Sequence, residues 1–78
     1  MIKELELSDP NSCINRAQEG EPVFVLRSSD IFAPLLIDQW IRNMEANGKG
    51  SSAKVVEAKL LLASMQNWQL NHTVKVPD

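Results

Sequence analysis

Residues 52–68 hold more apolar surface than one neighbouring helix can cover, and this narrows the folds open to the chain. Val55, Ala58, Leu61, Leu62, Met65 and Trp68 recur at helical spacing and form a main stripe. Val56 and Leu60, with Ala63 on the same side, carry apolar character onto a second face. Such a helix has to meet several partners: another helix, a strand region, or a second subunit. Few partners exist within 78 residues, which make one domain.

The usual staples of small folds are absent. Cys13 is the one cysteine, so neither an intrachain disulfide nor a thiolate zinc site can form. A core this small rarely contributes more than ~3–5 kcal/mol, and metals, disulfides or oligomerisation make up the difference. Self-association or partner binding is therefore the leading expectation.

Charge and composition exclude several classes. Eight basic and ten acidic side chains give a formal charge of −2, too even for a polybasic nucleic-acid arm. The basic residues are dispersed, tyrosine is absent, and Phe24 and Phe32 sit in apolar runs, which argues against a nucleic-acid partner. At 44% hydrophobic the chain is too apolar for a disordered tail. Its longest apolar runs, Val23 to Leu26 and Leu60 to Ala63, are too short to cross a membrane. The first residues, Met-Ile-Lys-Glu-Leu-Glu-Leu, place acids where an export signal needs an apolar core. The expected location is cytoplasmic, the host cytoplasm for a viral chain.

The expected fold class is α+β: an antiparallel αα-hairpin packed on a small sheet or hairpin, with a short N-terminal helix. Residues 31–47 form the first main helix, with Ala33, Ile37, Trp40, Ile41 and Met44 on one face and Pro34 confined to the first turn. Asn47-Gly-Lys-Gly50 stops it, and Ser51 or Ser52 caps the second helix, residues 52–68. The short connection favours antiparallel packing. Four consecutive apolar residues make 22–27 a strand buried on both faces. Leu5 and Leu7 alternate with Glu4 and Glu6, so residues 1–9 suit an arm or an edge strand. Ser8-Asp9-Pro10 reads as the start of a short helix ended by Gly20. The alternating tail, 72–78, is positioned to pair beside the central strand.

The run Glu21-Pro-Val-Phe-Val-Leu-Arg27, followed by Asp30, Ala33-Pro34 and Trp40, resembles a group of short phage and bacterial proteins. Lys54-Val-Val-Glu57-Ala58 through Met65 and Trp68 resembles the second helix of the same group, so the likeness covers residues 13–68. It implies a viral or mobile-element origin and brings no reaction with it.

Two corners carry anion-binding chemistry. Arg27-Ser28-Ser29-Asp30 lies where a strand gives way to a helix, and open N–H groups beside an arginine attract phosphate or carboxylate. A plain helix cap with a solvated Arg27 accounts for the same residues. Gly48-Lys-Gly-Ser-Ser52 fails the P-loop pattern, because Lys49 is followed by glycine and no strand precedes it. A helix-hairpin turn explains it better, with Lys49 and Lys54 left as weaker anion contacts. Trp40, Ile41, Met44, Met65 and Trp68 are the candidate interface residues. Cys13 and His72 make a nucleophile–base pair only where the chain ends meet. No catalytic site, metal site or cofactor is implied. The resulting expectation is a non-enzymatic, homo-oligomeric module acting on a host factor. The alternative is a binder that sequesters a host signalling nucleotide, as an anti-defence sponge.

Overall fold

Two long helices, α3 (Ala33–Ala46) and α4 (Ala53–Asn71), form an antiparallel hairpin in the computed structural model, which describes residues 2–77. Two shorter helices precede them, α1 (Lys3–Ser8) and α2 (Cys13–Arg16). α3 packs on α4, and α1 on α2. Among the described residues there is no strand, only an isolated parallel bridge between Asp30 and Lys75. The α+β expectation is thus overturned, and the architecture is helical.

The hairpin follows from local chemistry. Pro34 sits in the first turn of α3, where its missing N–H costs nothing. At the other end Gly48 adopts a left-handed φ of 75°, and the chain closes with a Schellman pair of hydrogen bonds. Lys49 N–H donates to the Met44 carbonyl at 2.9 Å, and Gly48 N–H to the Glu45 carbonyl at 3.0 Å. Ser52 then caps α4, its Oγ accepting from Val55 N–H at 3.3 Å.

One seam holds the hairpin. Ile41, Val55 and Ala58 are buried together, with Ile37, Met44 and Leu62 packed around them. Ala33 and Met65 are also buried. Val55 is 0% exposed, and a fully buried aliphatic side chain contributes ~1.5–3 kcal/mol. Lys59 and Glu45 add an exposed ion pair at 3.4 Å across the two helices, of minor energetic weight.

Several boundaries differ from the sequence expectation. Residues 22–27 form no strand: Val23 and Val25 are exposed and Phe24 is 83% exposed. The tail bonds elsewhere and leaves this segment without a ladder partner. Lys75 N–H donates to the Ser29 carbonyl and Ile31 N–H to the Lys75 carbonyl, both at 3.1 Å. Residues 3–8 are helical rather than an arm or edge strand, because Asn15 satisfies the chain's carbonyls at that helix's end. Its Nδ2 donates to the carbonyls of Leu7 and Asp9 at 2.9 Å and of Glu6 at 3.2 Å. Pro10 lies in a turn, and α2 begins behind Ser12, whose Oγ accepts from Asn15 N–H. α3 starts at Ala33 rather than residue 31, since Asp30 Oδ1 caps a turn by accepting from Phe32 N–H at 2.7 Å. α4 runs three residues beyond Trp68, to Asn71.

Val55→Ala is expected to destabilise the fold by ~2 kcal/mol and Ser52→Ala by ~1 kcal/mol in urea denaturation at fixed protein concentration. Negligible losses for both would show that stability does not reside in the α3–α4 seam.

Candidate functional site

The candidate anion residues divide between the two ends of α4. Ser28 and Asp30 are held at the C-terminal end, where Gln69 Nε2 donates to both of their carbonyls at 3.0 Å. Arg27 and Ser29 belong to the same corner, Arg27 being exposed and Ser29 half-buried. Lys49 lies in the hairpin turn, and Lys54 lies in the first turn of α4. Fifteen residues of helix separate Lys54 from Gln69, roughly 22 Å at 1.5 Å per residue. Within one chain the five residues therefore form two separate groups. At the Arg27 corner the Asp30 carboxylate already occupies the Phe32 N–H, which removes a donor that an anion would need.

Lys54 has company that the sequence did not disclose. Its Nζ lies 3.8 Å from Cys13 Sγ, and both line two shallow surface depressions of about 330 and 300 Å³. The first is dominated by Glu6, Asp9 and Glu57, an acidic lining unsuited to phosphate. The second brings Arg16 beside Lys54, with Glu21 at its edge. Arg16 is the cation that sequence reasoning missed. It shares a depression with Lys54 because Cys13, in the same short helix, meets the Lys54 side chain, and no local pattern encodes that meeting.

The candidate interface residues also divide. Ile41 and Met65 are buried inside the protomer, and Met44 is half-buried against the same seam. These three are engaged within the chain, because they lie on the faces that close the hairpin. Trp40 and Trp68 remain available, 41% and 36% exposed. Trp68 stacks on His72 with ring centroids 3.8 Å apart and planes within 3°. His72 Nδ1 lies 2.8 Å from the Trp68 carbonyl, a contact that requires the proton on Nδ1. His72 follows the C-terminal end of α4, whereas Cys13 sits at its start, so the two cannot act as a nucleophile–base pair within one chain.

Among the described residues no cluster of three His, Cys, Asp or Glu side chains is placed to hold a metal, and no helix is long and apolar enough to cross a membrane. The Arg42 guanidinium is raised above its ordinary value by the hydrogen bond and charge of Asp38, 2.9 Å away, and stays cationic. Comparison with family models, with curated proteins and with solved structures gave no match to this chain.

The Gln69 tether yields a specific expectation. Gln69→Ala removes two hydrogen bonds of ~1 kcal/mol each, so the amides of Ile31 and Lys75 should exchange with solvent roughly tenfold faster or more. Amides in the middle of α3 and α4 should be unaffected, and unchanged exchange at Ile31 and Lys75 would show that the corner holds without Gln69.

Proposed function

We propose that this chain is a non-enzymatic interaction module that completes its apolar core by self-association, an accessory protein of phage or mobile-element origin acting on a host factor. The observation that carries this is surface area. The protomer exposes 6277 Å², whereas a folded monomer of 8.7 kDa is expected to expose roughly 4,700 Å². Large apolar side chains are exposed on every helix but α2: Leu5 and Leu7 on α1, Leu35 and Leu36 on α3, and Leu60 and Leu70 on α4, with Phe24 and Val25 between them. Covering these side chains would add to the small core that one protomer has. The short phage and bacterial proteins that the sequence resembles supply the expected origin.

A small anionic ligand, of the signalling-nucleotide class, is the alternative occupant of such an assembly. It is favoured by the separation of the cations along α4. Two copies packed with their α4 helices antiparallel would bring Arg27, Ser28 and Ser29 of one copy toward Lys54, Lys49 and Arg16 of the other. Phosphate held at that junction would be contacted by both subunits.

Light scattering on size-exclusion chromatography at micromolar concentration should give at least twice the 8.7 kDa protomer mass. A well-folded monomer under those conditions would contradict self-association. For the alternative, calorimetric titration with cyclic oligonucleotides and ADP-ribose derivatives should release heat, with Arg27→Ala or Lys54→Ala weakening binding at least ~10-fold, as expected for a lost charge-assisted contact. Absence of both heat and thermal shift across these ligands would remove it.

A further inference from the structure

α4 carries a second seam that the hairpin leaves open. Ala53, Val56, Leu60, Ala63, Asn67 and Leu70 follow one another at alternating steps of three and four residues, the spacing of a coiled-coil stripe. All six are exposed, Leu70 by 85%. They lie on the side of the helix opposite Val55, Ala58 and Met65, which are buried. None of the six is charged, and the nearest charges, Glu57 and Lys59, fall to either side of the stripe.

Side-chain size along the stripe is self-complementary under reversal. Turning the helix about a two-fold axis between Leu61 and Leu62 sets Ala53 opposite Leu70, Leu60 opposite Ala63 and Val56 opposite Asn67. Each leucine then meets an alanine, so the layers fill evenly, as an isologous interface requires. A parallel, in-register pair would instead stack leucine on leucine and alanine on alanine, leaving voids at Ala53 and Ala63. Antiparallel packing also opposes the two helix dipoles. The larger apolar side chains of the stripe are open to solvent, Val56 by 53%, Leu60 by 67% and Leu70 by 85%, so pairing removes them from water.

We propose that a second copy of this chain docks along this stripe, forming an antiparallel two-fold pair of α4 helices. The pairing rests on the self-association proposed above and gives it a face and a direction.

Leu60→Glu places a charge at the centre of the seam without touching the protomer's own core, since Leu60 is exposed there. It should raise the dissociation constant in sedimentation equilibrium at least ~100-fold and lower the thermal midpoint at fixed micromolar concentration, because assembly completes the fold. Leu70→Glu, nearer the helix end, should act in the same direction. If both variants associate like the unsubstituted chain, this face is wrong although self-association stands. A monomeric unsubstituted chain removes both proposals. Direction is read by oxidative crosslinking in a Cys13→Ser background. Ala53→Cys chains equilibrated with Leu70→Cys chains should crosslink in the mixture and not separately, since like positions lie about 25 Å apart along the antiparallel pair. Crosslinks between like positions would overturn the antiparallel arrangement.

Discussion

A hairpin of two helices has a single seam, and every other part of this molecule is arranged around that restriction. Ile41, Val55 and Ala58, with Ile37, Met44 and Leu62, form the hydrophobic cluster between α3 and α4. That cluster uses one face of each helix. α4, however, is apolar on more than one face, so closing the hairpin leaves Val56, Leu60 and Leu70 exposed. Burial of apolar area is the dominant favourable term in folding, and a helix that leaves this much of it in water is stabilised by whatever covers it. Association is the proposed route for that cover.

Polar contacts, rather than a second core, position the remaining elements. Asn15 ties α2 to the carbonyls at the end of α1, and Gln69 anchors the Ser28–Asp30 corner to the far end of α4. The Gln69 tether sets Arg27 beyond the finish of α4, whereas Lys54 lies in its first turn and shares a depression with Arg16. Among the described residues the five candidate anion contacts do not converge within one protomer. An assembly that reverses one copy against another would concentrate them. On the proposed reading, anion binding would depend on the oligomeric state.

The parts of this arrangement governed by local chemistry were legible in the sequence. A stop at Asn47–Gly50, a cap at Ser51 or Ser52 and Pro34 in the first turn follow from backbone rules that need only near neighbours, and the structure places the stop at Gly48 and the cap at Ser52. The wide apolar surface of the second helix was also readable from spacing. The misjudged parts depend on distant partners. Four apolar residues at 23–26 imply a buried strand only where another strand lies beside them, and the tail pairs at Ser29 and Ile31 instead. α1 owes its end to an amide on another helix, and Leu5 and Leu7 alternate in the sequence without marking a strand. Among the candidate interface residues, spacing placed Ile41 and Met65 on an apolar face but could not tell that face from an intermolecular one.

The account stands on the claim that the native state is completed by association, and thermal unfolding as a function of protein concentration tests it most directly. If folding and assembly are linked, mass action requires the midpoint to rise steadily with protomer concentration across the micromolar range. A midpoint independent of concentration, with a cooperative transition throughout, would show that the hairpin is stable by itself and would contradict the claim.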